Sequence, residues 1–178
     1  MGEVLDAGSV VLQGGATTRD AAIDEAGALL VAAGAVSQAY VAAMHERETS
    51  VSTYMGNGLA IPHGTNEAKS EIARSAMCFI RYAEPIDWNG QPAEFVVGIA
   101  GAGDDHLTLL SQLAGVFSDV DQVERLRAAD IGIGYSRALE GGARKYESLG
   151  QRDDGCVSAI ATTIEFHERI GAGVIEAR

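Results

Sequence analysis

Basic residues are scarce in this chain: 13 Lys and Arg stand against 25 Asp and Glu, leaving a formal net charge of -12. That balance argues against a nucleic-acid partner, because a phosphate backbone is held by clustered Lys and Arg. A basic protein partner suits it better. Cysteine is scarcer still, with Cys78 and Cys156 alone; they lack the paired spacing of a zinc site or a disulfide framework, and a reducing compartment fits. No stretch approaches the roughly 20 apolar residues that span a bilayer, and Met1 to Gly15 has no basic start leading into an apolar run. A cytoplasmic location without direct membrane insertion is expected. Gly2 does not signal myristoylation, since Asp6 stands where Ser or Thr is needed. No glycine-rich loop ending in Lys-Ser/Thr occurs, so direct use of ATP through such a loop is not expected.

What is present is enough for one core: 178 residues with 47% apolar content point to a single domain. Val10-Val11-Leu12 reads as a short strand. Thr17, with Asp20 three residues on, reads as a capping box opening a helix whose apolar face is Ala22, Ile23, Ala26, Leu29, Leu30 and Ala33, with Gly34 stopping it. Ser37 caps a second helix through about Arg47, and Thr49 to Gly58 reads as a loop. Leu59-Ala60-Ile61 is a short buried strand ended by Pro62, Ser75 to Ile80 another, and Trp88-Asn89-Gly90 a turn. Phe95 to Ala100 has no polar alternation and should be a central strand. After Gly101-Ala102-Gly103, Asp104 or Asp105 caps a helix bearing Leu107, Leu109, Leu110 and Leu113, and a short helix follows over Asp119 to Ala128.

This alternation predicts an α/β fold, a single-domain sandwich in which helices flank a mixed, mostly parallel sheet. From Asp130 onward glycines break the pattern, although Val157, Ile160, Ala161 and Ile164 match one helical face. Residues 5–129 are therefore expected to form the domain and 130–178 a C-terminal extension.

The segment Gly56-Asn57-Gly58-Leu59-Ala60-Ile61-Pro62-His63-Gly64-Thr65 sets a histidine just after a buried strand, between a proline with restricted φ and a permissive glycine. Near neutral pH an imidazole keeps one unprotonated nitrogen that can attack phosphorus, while the other can be held by a hydrogen bond. A second histidine, His106, falls in the first turn of a helix, where free N–H groups and the positive dipole end favour an anion. Asp104 and Asp105 are read as helix-capping acids, and no metal or other cofactor is expected. His45 reads as a surface residue of the second helix, His167 lies in the glycine-broken tail, and Cys78 reads as core packing.

Glu48, Met55-Gly56 and Leu59-Ala60-Ile61-Pro62-His63-Gly64 together resemble, in residue types and spacing, the active-site signature of the mannitol/fructose-type enzyme IIA domains of the bacterial sugar phosphotransferase system (PTS). The resemblance continues through Glu67-Ala68-Lys69, the Cys78 strand, the Phe95 to Ala100 strand and Asp105-His106, spanning roughly Leu5 to Ala128. It implies the mannitol-type IIA fold and a phosphoryl relay: the carrier protein HPr phosphorylates His63, on Nε2, and His63 passes the group to a cysteine of enzyme IIB, a separate chain associated with membrane-borne IIC. Mannitol and fructose are the sugars it suggests. It also implies that His106 stabilises the phosphoryl group and that Arg47 contacts it, in keeping with guanidinium geometry. Thr65 is a further hydrogen-bonding candidate. Two other readings stand beside this one: a regulatory phosphoprotein like the nitrogen-type IIA, and a non-catalytic binding module that keeps the fold. The resemblance departs at Ile131-Gly132-Ile133-Gly134-Tyr135, where a further Val/Leu-rich helical segment is expected.

Overall fold

The computed structural model describes residues 4–5 and 7–128. The proposed extension over 130–178, its one helical face, Cys156 and His167 lie outside them. Five strands form one sheet: β1 (Val10–Val11), β2 (Tyr54–Gly56), β3 (Leu59–Ala60), β4 (Ala76–Trp88) and β5 (Gln91–Ala100), in the spatial order β1-β4-β5-β3-β2. The expected central strand, now β5, is the middle one. The sheet is mixed: β1 with β4 and β3 with β5 run parallel, while β4 with β5 and β2 with β3 run antiparallel. Parallel pairings thus make up half of it, and the longest pairing is the antiparallel β4–β5 hairpin.

Helix α1 (Arg19–Ala32) buries Ala22, Ile23, Ala26, Gly27 and Leu30, and most of these join Cys78, Ile80, Val96 and Ala100 of the sheet in one core cluster. Helix α2 (Gln38–Ser50) adds Tyr40 and Met44 to that cluster. The opposite register of β4 and β5, with Met77, Phe79, Phe95, Val97 and Ile99, is buried as well. Burial on both faces explains the unbroken apolar run that marked β5. Helix α3 (Asp105–Ser118) follows β5. Residues up to Ser111 belong to one compact unit, and a second begins at Gln112. In that second unit α4 (Val120–Ala128) is capped by Asp119, whose Oδ1 accepts the N–H groups of Asp121 and Gln122 at 3.0 and 3.3 Å.

Several boundaries differ from expectation, each for an identifiable reason. The cap of α1 is Thr18, not Thr17: its hydroxyl accepts the Ala21 N–H at 3.2 Å. Helix α2 runs three residues past Arg47 because Thr49 and Ser50 turn their hydroxyls back onto the Glu46 carbonyl and stay helical. The stretch read as a loop contains β2, joined to β3 through Asn57-Gly58 with φ of 48° and 78°, the two-residue hairpin turn whose backbone matches strand twist. Strand β4 continues well beyond Ile80; a register shift between Arg81 and Ile86 absorbs Pro85 inside it. Asp105 is the first residue of α3, and its carboxylate takes a hydrogen bond from the Ser75 hydroxyl at 2.6 Å.

The corrected cap is testable. Thr18→Ala should lower stability by about 0.5–2 kcal/mol, whereas Thr17→Ala, at an exposed position, should stay within about 0.5 kcal/mol of the parent, as read from urea midpoints.

Candidate functional site

Strand β3 ends at Ala60, yet the chain keeps its register with β5. Ile99 donates its N–H to the Pro62 carbonyl at 3.1 Å, and His63 pairs with Ile99 in the parallel sense. Proline has no N–H to contribute, but its carbonyl still serves the ladder. From α2, the Tyr40 hydroxyl donates to the Ile99 carbonyl at 2.8 Å and accepts the Gly64 N–H at 2.9 Å. Burial raises the Tyr40 pKa and keeps it a phenol able to do both. A Cβ on Gly64 would lie 2.5 Å from the Tyr40 ring, so the residue after the histidine must be glycine for this contact to form.

His63 itself is buried at 7% exposure. Its Nδ1 lies 2.7 Å from the Ile61 carbonyl oxygen. A carbonyl can only accept, so Nδ1 carries the proton and the neutral ring holds its lone pair on Nε2. Desolvation is the main cause that lowers the His63 pKa; the Ile61 hydrogen bond opposes it, the charges of His106 and Arg47 lower it further, and Glu48 raises it. The ring is thus a neutral base at pH 7.

His106, the second residue of α3, brings its ring centroid to 4.9 Å from that of His63, tilted by 56°. The approach depends on Gly101, where a Cβ would meet the His106 Cα at 2.5 Å. Ser75 secures the same turn by accepting the Ala102 N–H at 3.0 Å and donating to Asp105. The His106 pKa is also lowered, chiefly by burial and then by the charges of Lys69 and Arg47. Arg47 sits in the last turn of α2, half-buried, with Nη1 donating to the Val51 carbonyl at 2.8 Å. Its charge acts on both imidazoles. Thr65 opens the 3-10 turn Asn66–Glu71, and its hydroxyl makes no capping bond there.

Of the four sequence candidates, His63 and His106 stand side by side and the charge of Arg47 acts on both, while Thr65 follows His63 by two residues. A buried imidazole with its lone pair on Nε2, beside a second imidazole and under the charge of a guanidinium, can act as a nucleophile toward an anionic electrophile. The remaining polar residues fall elsewhere. His45 pairs with Asp24 of α1 at 2.7 Å. Cys78 is fully buried, its thiol pushed up to about 12 by desolvation, and donates to the Ala26 carbonyl. Among the described residues no three His, Cys, Asp or Glu side chains are grouped to hold a metal ion, and no helix is long and apolar enough to cross a membrane.

Tyr40 and Lys69 had no role assigned from sequence, and Glu48 entered only as part of a signature. Nothing in the spacing marks Tyr40, whose contacts are 24 and 59 residues away. Glu48 did carry a signal: an acid in the last turn of a helix opposes the dipole there, so something else must hold it.

Residues 3–131 match the family described as "Phosphoenolpyruvate-dependent sugar phosphotransferase system, EIIA 2". The chain is 44% identical over 126 residues to the "Mannitol-specific phosphotransferase enzyme IIA component" of Staphylococcus aureus (strain Mu50), covering 71% of this chain and 88% of the relative. Among solved structures it is similar to the complex of enzyme IIAMTL and phosphorylated enzyme IIBMTL from Escherichia coli, with a TM-score of 0.64 and 34% identity over 68% of this chain and 86% of that one. It is also similar to the nitrogen regulatory protein IIA-Ntr of Neisseria meningitidis, with a TM-score of 0.62 and 32% identity over 70% of this chain and 88% of that one. With this fold and this extent of likeness, the chain belongs to the EIIA type-2 family and is a phosphotransferase component of a sugar phosphotransferase system.

Proposed function

We propose that this protein is the enzyme IIA phosphocarrier of a mannitol-type permease, accepting a phosphoryl group from phospho-HPr on Nε2 of His63 and handing it to a cysteine of enzyme IIB. The observation that carries this reading is the bond from His63 Nδ1 to the Ile61 carbonyl, which leaves Nε2 as the nitrogen with a lone pair. In the first step the P–N bond on the HPr histidine breaks as a P–N bond to Nε2 forms; in the second that bond breaks as a P–S bond forms on IIB. The incoming group is anionic, and Arg47, Lys69 and His106 supply positive charge or N–H donors around it. Thr65, two residues after His63, is a weaker candidate to add a hydroxyl. Proximity and orientation in the docked complex do the rest of the work, with no ATP and no metal in the step.

Mannitol is favoured over fructose by the mannitol-specific relatives; IIC association and a cytoplasmic setting follow from the same assignment. A second reading, a regulatory phosphoprotein, draws on the likeness to IIA-Ntr. It differs in lacking transfer to IIB, so incubating the phosphorylated chain with a mannitol-type IIB and following transfer of label separates the two. The carrier is assigned to residues 5–129, with 130–178 as an extension outside the relay.

His63→Ala should abolish labelling from radiolabelled phospho-HPr, and Arg47→Lys should slow it by roughly tenfold, because the ammonium cannot reproduce the forked contact. Removal of everything after Ala128 should leave labelling of His63 intact; loss of labelling in a folded truncation would contradict the assignment of the relay to 5–129. Imidazole NMR titration should place both His63 and His106 below the ordinary value of 6.5. Since the unfolded chain then binds more protons than the folded one, these groups contribute stability in full above pH 6.5 that is lost as pH falls toward their folded midpoints.

A further inference from the structure

Glu48 is an acid in the protein interior, 3% exposed, at the end of α2. Its Oε2 accepts the Thr53 N–H at 3.0 Å and the Thr53 hydroxyl at 2.5 Å. Its Oε1 accepts the Trp88 indole N–H at 2.9 Å and the Asn89 amide at 3.3 Å. A buried carboxylate is tolerated only when its oxygens are satisfied in this way. An apolar residue would fill the same space without that cost, so a use for the charge is indicated.

The bonds continue beyond Thr53. The Thr53 carbonyl accepts the Ile61 N–H at 3.0 Å, and the Ile61 carbonyl accepts Nδ1–H of His63 at 2.7 Å. An unbroken series of contacts thus runs from the Glu48 carboxylate through Thr53 and Ile61 to the imidazole. The same segment bears Val51, whose carbonyl holds the Arg47 guanidinium. Trp88 and Asn89 anchor the other oxygen to the rigid β4–β5 turn.

We propose that Glu48 is a positioning residue for phosphoryl transfer: it clamps the Val51 to Thr53 segment against the β4–β5 turn, and through Thr53 and Ile61 it sets the ring orientation of His63 and the seat of Arg47. This rests on His63 being the acceptor. Glu48 touches neither the reacting nitrogen nor the phosphoryl group. It acts as the orienting acid of a catalytic histidine does, but at the remove of two residues. Its negative charge also opposes that of Arg47 and His106, the other ionisable groups acting on His63.

The test uses the full chain with Glu48→Gln, and Tyr82→Phe as a destabilising control whose hydroxyl bonds to Glu25 on α1, outside this series. Ring-nitrogen NMR of His63 gives its tautomer and midpoint without any labelling. Glu48→Gln should lower the His63 midpoint below that of the parent and slow labelling from phospho-HPr by roughly ten- to hundredfold. Tyr82→Phe should lower thermal stability and leave both values unmoved. Parent-like midpoint and rate in Glu48→Gln would overturn the proposal, as would an equal loss in Tyr82→Phe. Should Glu48→Gln not fold, Thr53→Val removes the hydroxyl contact alone; a smaller shift in the same directions supports the proposal, and unchanged values overturn it. Failure of the parent to label, or full labelling of His63→Ala, would instead remove the phosphocarrier reading itself, which the NMR arm keeps distinct.

Discussion

The bond from the Ile99 N–H to the Pro62 carbonyl is the constraint on which the rest of the site depends. It extends the parallel pairing of β3 with β5 past the point where proline would end a strand, and so delivers His63 to the end of the central strand. Tyr40 then closes the arrangement from the helical side, taking the Gly64 N–H and giving its own proton to Ile99. Residues on both sides of His63 are held by backbone bonds before its side chain is considered. An imidazole preset in this way leaves little ordering to be done when a partner docks on it.

Electrostatics within the site divides into two layers. One comprises Arg47, Lys69 and His106, which lower the proton affinity of the imidazoles and suit an anion. The second is Glu48, buried and fully bonded, whose charge pulls the other way. The free ring therefore stays neutral near pH 7 with its lone pair on Nε2. The chain as a whole is strongly acidic, while the charges of Arg47 and Lys69 make the surroundings of the two imidazoles locally basic.

Much of this was legible in sequence where the information is local. The apolar run of β5, the Trp88-Asn89-Gly90 turn, the Gly34 stop and the Pro62-His63-Gly64 corner each declare themselves through side-chain chemistry confined to a few residues. Where reading failed, distant or competing contacts had overridden local preference. Thr49 and Ser50 looked like loop residues because hydroxyls compete with helix bonds, yet here they bond within the helix. Strand β4 outruns its apolar segment because β5 pairs with it through Trp88 and a register shift accommodates Pro85. The Asn57-Gly58 hairpin, by contrast, is encoded locally by its dipeptide, although the polar residues around it resemble a loop.

By itself, the sequence determined the fold class, the family signature and the identity of the histidine beside a proline and a glycine, because periodicity and motif spacing are properties of neighbouring residues. Tertiary structure alone decided that His106, 43 residues downstream, stands 4.9 Å from His63, and that Trp88 and Asn89 hold one oxygen of the buried Glu48 carboxylate. Those outcomes depend on contacts closed between segments far apart in the chain, set by sheet register and helix packing, and no local pattern of residues encodes them.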